Sequence, residues 1–194
     1  VKIFGVPPRI ATILVFVASA GFASANLITN GDFETQDFTG WTVTDAASGS
    51  NISVQPLPAP HDTFGAEFAA TGADFDSISQ TFATTPGAFY DLSFFYQVGD
   101  TQAQANNEMR VLFNGNVVFD NPNSNPGSVP LTFTNLQATG SATTVEFQGR
   151  NGPAADYIDD VSVTASVPEP GPAALILFGA TFGTTAVVRR HRLA

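Results

Sequence analysis

From Asn26 to Ala165 no window of this chain sustains an apolar period of 3.6. Short β-prone runs rich in Thr, Ser, Phe and Val recur instead, separated by clusters of Gly, Pro, Asn and Asp. Chains patterned this way close into sandwiches or barrels, because each strand can bury only one of its faces. The clearest hairpin is Met109 to Phe119. Met109, Val111 and Phe113 alternate, Asn114-Gly115 supplies the positive-φ pair of a type I′ turn, and Val117 and Phe119 resume the alternation. Ile78 to Phe82 and Tyr90 to Val98 read as strands joined through Thr85-Pro86-Gly87. Leu131-Thr132-Phe133, Thr144 to Phe147 and Tyr157 to Val163 complete the late strands. Leu27 to Thr29, Trp41 to Thr44 and Ile52 to Val54 are shorter early candidates. Gln55 to Asp62 and Asp120 to Gly127 read as loops. Nine or ten strands in these 140 residues predict an all-β fold, an antiparallel two-sheet sandwich of jelly-roll type, with a closed barrel as the alternative. The 18 Phe against 3 Tyr and 1 Trp suit a sheet-on-sheet core, since Phe brings no polar group that must be paired.

The two ends read as addresses. Lys2 and Arg9, apolar Ile10 to Ala18 and the small residues Ala23-Ser24-Ala25 have the order of a secretory signal peptide. Cleavage after Ala25 is expected, making residues 1–25 the signal, with a signal helix ahead of the sandwich, and Asn26 the mature N-terminus; a hydrophobic helix is expected at the other end. At the other end Val167-Pro168-Glu169-Pro170 precedes an apolar run from Ala173 to Val188, then Arg189-Arg190-His191-Arg192. Sixteen residues of helix span ~24 Å, short of the ~30 Å of a hydrocarbon core, and Gly179 and Gly183 weaken the run further as a permanent span.

Between Asn26 and Val167 stand only two basic residues, Arg110 and Arg150, against sixteen acids, a formal charge of −14. Such a surface repels nucleic acid, whose binding needs clustered Lys and Arg. The absence of cysteine removes thiol nucleophiles, Cys-based zinc sites and iron–sulfur clusters. With His61 and His191 the only histidines, imidazole chemistry is nearly excluded. There is no G-x-S-x-G, no H-E-x-x-H and no phosphate loop. Asp74 and Asp76 are the nearest thing to the paired carboxylates of a glycosidase, but acids beside a strand are commonplace.

The tail from Val167 to Ala194 resembles the PEP-CTERM sorting signal of Gram-negative bacteria, with Val167, Pro168, Glu169 and Pro170 as the motif and Arg189, Arg190 and Arg192 as its basic end. The resemblance implies a sorting domain over residues 166–194, a transient hold in the inner membrane through residues 172–188, processing by an exosortase-type membrane protease-transpeptidase, association with exopolysaccharide, and a place at the cell surface or in the extracellular matrix. A plain membrane anchor is the alternative. Residues 26–165 are similar to the galactose-binding-like jelly rolls of carbohydrate-binding modules. Three stretches carry this: Leu27-Ile28-Thr29-Asn30-Gly31-Asp32-Phe33-Glu34 with Gly40-Trp41; Ser79-Gln80-Thr81-Phe82 with Pro86-Gly87 and Tyr90 to Phe94; and Tyr157-Ile158-Asp159-Asp160-Val161-Ser162-Val163.

That second resemblance implies a structural calcium ion joining the first and last strands. It would be held by Glu34 and Asp159, by backbone oxygens around Gly31 and the Asp62 to Gly65 loop, and less directly by Asp160. Period two places Tyr157, Asp159, Val161 and Val163 on one face, and a carboxylate on an apolar face needs a partner. Backbone N–H groups or Arg150 are the other partners open to Asp159. Trp41 is the candidate sugar platform, with core as its other role. Asn106, Asn107, Asn121, Asn123 and Asn125 are polar loop candidates or turn formers. The expected role is a non-catalytic exported surface or matrix protein. The alternatives are a carbohydrate-binding module with a defined glycan, then a polysaccharide-active hydrolase.

Overall fold

The computed structural model describes residues 24–57, 64–99, 107–122, 127–152 and 154–166. Among these there is no helix, and ten strands build the domain: β1 Thr42–Thr44, β2 Ile52–Pro56, β3 Phe64–Phe68, β4 Asp76–Ala83, β5 Phe89–Val98, β6 Glu108–Phe113, β7 Asn116–Pro122, β8 Gly127–Gln137, β9 Ala142–Arg150 and β10 Asp156–Ala165. They form two five-stranded sheets, β1-β4-β9-β6-β7 and β2-β3-β10-β5-β8. Every pairing within each is antiparallel. This is the two-sheet jelly-roll sandwich expected from the strand pattern. The helices expected at the two ends fall on residues outside those described.

Alternation decides the faces. In the first sheet Ile78, Phe82, Val145, Phe147, Met109, Val111 and Phe113 point inward; in the second Ala66, Phe68, Leu92, Phe94, Tyr96, Ile158, Val161 and Val163 meet them. Phe94 and Phe147 touch edge to face across the sandwich, centroids 5.1 Å apart. Gly149 lets the sheets close at one end, for a Cβ there would lie 2.6 Å from that of Phe68. The β6–β7 turn has Asn114 at φ 52° and Gly115 at φ 77°, the conformation that Asn-Gly favours.

Four local readings differ from the sequence pattern. β3 was hidden, because Phe64-Gly65-Ala66-Glu67-Phe68 contains a glycine and follows a proline-rich stretch; only the alternation of Phe64, Ala66 and Phe68 marks it. β8 runs over eleven residues rather than three, and carries Pro130, which an edge strand tolerates. Leu27 to Thr29 is not a ladder strand: Leu27 N–H reaches the Val163 carbonyl, but Thr29 N–H bonds the Gln80 side chain. Finally, β10 does not keep period two throughout. One extra residue between Asp159 and Ser162 makes a bulge, with Asp160 at φ 52°. A one-residue insertion reverses the faces, so Ile158 points inward before the bulge and Val161 and Val163 after it. Tyr157 and Asp159 therefore do not share a face with Val161 and Val163.

Candidate functional site

The outward face of the first sheet is built from short polar side chains in register. One row crosses all five strands: Thr44, Ser77, Gln148, Arg110 and Asp120. The next row runs Thr42, Ser79, Glu146, Leu112 and Val117. Beside them Thr81 and Thr144 share a 2.7 Å hydrogen bond, and Gln148 Nε2 donates to Glu146 Oε1 at 2.9 Å. The row positions are half-buried to exposed. Hydroxyls, an amide, a carboxylate and a guanidinium thus stand on a rigid ladder at the ~5 Å spacing of paired strands.

At one end of this face lie both basic residues found between Asn26 and Ser166. Glu108 and Arg110 share a face because they are two apart, and Arg150 stands opposite Glu108 on β9. Glu108, only 8% exposed in its side chain, accepts from both arginines; its Oε2 lies 2.7 Å from Arg150 Nη2. Arg150 also donates through Nη1 to the Ala73 carbonyl at 2.7 Å, and Arg110 Nε stands 3.6 Å from Asp120. Both guanidinium carbons lie 4.8 Å from the centroid of the half-buried Phe75 ring, a cation–π distance. The buried carboxylate orients two planar forks and the ring holds them flat. The result is a pre-set donor array at the edge of a polar strip. The pattern Glu-x-Arg in a strand, in a domain with two cations, was the signal in the sequence; Phe75, from a loop, gave none.

The residues expected to hold a metal gather around the β10 bulge without forming a cluster of carboxylates. Glu34 is exposed, and its Oε1 accepts the Phe64 amide at 3.0 Å. Ala66 pairs with Ile158, so Phe64 stands level with the bulge. Asp159 is fully buried, and its Oδ1 accepts the Asp160 amide at 2.7 Å. The Gly31 carbonyl accepts Val161 N–H at 2.9 Å, and a Cβ at Gly31 would lie 2.1 Å from the Val161 oxygen. Asp160 is exposed and lines, with Asp32, Asn26, Asn30 and Ser162, a polar hollow of about 340 Å³. Asp62 lies outside the described residues. Among those described, no group of three or more His, Cys, Asp or Glu comes together. Arg150 is engaged by Glu108 and Ala73 on the other sheet.

Trp41 is not a surface platform. It is 8% exposed, its ring stacks on Phe33 at 5.7 Å, and its indole N–H donates to the Asn30 carbonyl at 3.0 Å. A tryptophan soon after the opening segment closes the end of the sandwich because it is the largest apolar plug available there. Asp74 is exposed, whereas Asp76 is wholly buried and accepts Ala46 N–H (2.8 Å), Ser50 O–H (2.6 Å) and Asn51 N–H (2.9 Å). Asp76 thus staples the β1–β2 loop and does not face Asp74 across an open site. Asn107 is buried at the start of β6 and Asn121 lies in β7; Asn106, Asn123 and Asn125 lie outside the described residues.

So do Ala23 and the rest of the signal up to it, and Val167 to Ala194 with Val167, Pro168, Glu169, Pro170, Arg189, Arg190 and Arg192. Ala25 is described, and the next residue, Asn26, anchors the chain: its Oδ1 accepts Ile28 and Val163 N–H, both at 3.0 Å. Among the described residues no helix is long and apolar enough to cross a membrane.

No protein-family model matches the chain, and no curated protein is significantly similar to it. Solved structures do match. TmCBM61, solved in complex with β-1,4-galactotriose, is 16% identical with a TM-score of 0.57, over 74% of this chain and 100% of that one. The CBM22-1 xylan-binding domain of Xyn10C from Paenibacillus barcinonensis is 16% identical with a TM-score of 0.53, over 77% and 100%. The K3 cleaved adhesin domain of Lys-gingipain from Porphyromonas gingivalis W83 is 14% identical with a TM-score of 0.55, over 71% and 99%. At these identities the likeness is one of fold: the jelly-roll sandwich.

Proposed function

We propose that this chain is a non-catalytic carbohydrate-binding domain of an exported surface or matrix protein, and that it binds glycan on the outward face of its first sheet. The observation that carries the reading is the transverse row Thr44, Ser77, Gln148, Arg110 and Asp120, bordered by Phe75 between two oriented arginines. A sugar needs many directional hydrogen bonds, and this strip offers hydroxyl, amide, carboxylate and guanidinium partners for them. Two of the fold neighbours, by their own descriptions, bind a galactotriose and xylan, which supports a glycan as ligand without choosing one. Titration calorimetry against a panel of neutral oligosaccharides tests it. Gln148→Ala, which removes one amide, and Phe75→Ala, which frees both guanidinium groups, should each weaken binding about tenfold, the scale of one lost hydrogen bond. Unchanged affinity in both variants would remove the face from consideration.

Calcium fits the oxygen-only donors at the bulge: Glu34, Asp159 and the Gly31 carbonyl, with Asp160 in reserve. There it would tie the opening segment to β10 and stabilise the native state by mass action. Calcium added to metal-stripped protein should raise the Tm by several degrees, and should not do so in Asp159→Asn; an unmoved wild-type Tm would dismiss the ion.

Export and sorting rest on the two ends. In this reading an exosortase-type enzyme removes the tail near Pro168-Glu169-Pro170 after a brief hold in the inner membrane, leaving the domain with exopolysaccharide outside a Gram-negative cell. Mass spectrometry of the exported protein should find residues 189–194 gone. Their retention would favour a plain anchor.

A further inference from the structure

Edge strands β7 and β8 belong to different sheets, and between them and β5 lies a cleft of about 240 Å³ lined by Tyr96, Val98, Phe119, Asn121, Val129 and Leu131. Its walls are apolar, and Val129, 45% exposed, stands at its rim. Its inner end is polar. Tyr96 O–H donates to Asp156 Oδ2 at 3.1 Å, Asn121 Nδ2 stands 3.5 Å from the Tyr96 oxygen, and Asn151 Nδ2 donates to Asp156 Oδ1 at 3.0 Å.

Behind this chain the polar capacity is not used up. Asn107 and Asn151 each sit one residue past the Glu108–Arg150 pair and are 1% and 0% exposed. Asn107 Nδ2 and Oδ1 and Asn151 Oδ1 have no hydrogen-bond partner among the described residues. Buried amides are nearly always paired, by water where protein does not reach. A cleft of this size holds several waters at roughly 30 Å³ each. Water against apolar walls is poorly held, and displacing it by an apolar surface gains affinity.

We infer that this inter-sheet cleft is a second ligand site, one that admits a single neutral sugar ring at a chain end. The ring's C–H face would lie against Phe119 and Val129, with hydroxyls directed to Asn121 and the Tyr96 hydroxyl. Anionic rings are disfavoured because, among the described residues, no basic side chain lines the cleft and Asp156 stands behind it. The site is separate from the outward face: on β7, Asp120 points to the arginine strip, while Phe119 and Asn121 point into the cleft. Two sites on opposite faces of one strand would let a single domain hold a chain along its length and another by its end.

Methyl NMR of the full chain tests this, using galactose, glucose, xylose, glucosamine and β-1,4-galactotriose as probes. The Val98, Val129 and Leu131 methyls should shift saturably with at least one neutral sugar. Val129→Arg, at an exposed rim position, should abolish those shifts, and Gln148→Ala on the outward face should leave them intact. Methyls that stay unmoved by every probe, or that move equally in Val129→Arg, would overturn the inference, as would a response to glucosamine alone, which would mark a cation site. Loss of the shifts in Gln148→Ala would also overturn it, by tying them to the outward face. The outward face fails separately, if Gln148→Ala leaves oligosaccharide affinity unchanged while Val129→Arg removes it.

Discussion

The outward faces of the two sheets are built alike and equipped differently. Each carries a five-residue row across its strands. On the first sheet it is Thr44, Ser77, Gln148, Arg110, Asp120; on the second it is Ser53, Glu67, Tyr157, Gln97, Ser128. The first row includes a guanidinium fixed by a buried glutamate. The second pairs a phenol with a carboxylate, and the Tyr157 hydroxyl is pushed up to about 12 by burial, with the charge of Glu67 and a hydrogen bond to it adding to the effect. On β5, Phe95 and Gln97 are 8% and 7% exposed although alternation turns them outward. One face carries an oriented donor array, while the other has two of its outward positions buried. Identical inner patterning therefore leaves the choice of ligand face to the outer positions, where the two cations happen to meet.

Substitutions that separate these faces range from the largest effect to the smallest. The first sheet holds one fully buried acid, Asp76, and the second holds two, Asp156 and Asp159, of which Asp159 is the one expected at the calcium site. Asp76 is satisfied by three protein donors, so Asp76→Ala should cost about 4 kcal/mol by strand and loop groups left unpaired. Urea denaturation should show that loss equally with and without calcium. Asp159→Ala should instead lose stability mainly in calcium, and equal losses in both would erase the contrast between the two acids. Glu108→Gln comes next. It releases both arginines, and should lower stability by about 1–2 kcal/mol and glycan affinity about tenfold. Retained affinity would mean that the arginines need no positioning.

The smallest effect belongs to the second face. Tyr157 keeps its proton to higher pH in the folded state than in the unfolded chain. Its contribution is complete below about pH 10, the unfolded value, and is lost as pH rises through about 12. Phenolate absorbance should therefore show one tyrosine titrating near 12, Glu67→Gln should bring it down towards 10, and glycan affinity at neutral pH should not change. A drop in affinity in Glu67→Gln would place ligand on the second face after all.

Much of this was legible from the residues. The hairpin at Asn114-Gly115, most of the strands and the inward set follow from local turn chemistry and period two, which need no knowledge of neighbours. The Glu108–Arg110 spacing could be read in the same way. Trp41 could not, because platform and plug differ only in what stands around the ring. Nor could the β10 bulge, since one inserted residue leaves no mark in Asp159-Asp160-Val161 beyond a residue able to adopt positive φ. Phe75 escaped notice because its role comes from Arg110 and Arg150, 35 and 75 residues away.

The sequence by itself determined the all-β class, the acidity of the domain, the scarcity of its cations and the absence of thiol chemistry. Those are sums and local periods, and they survive any arrangement of the strands. The folded chain was needed to learn which sheet received both arginines, which donors each buried acid met, and where a cleft lies between β7 and β8. Each of those depends on pairing between residues far apart in the chain, and strand order, register and one bulge fix that pairing.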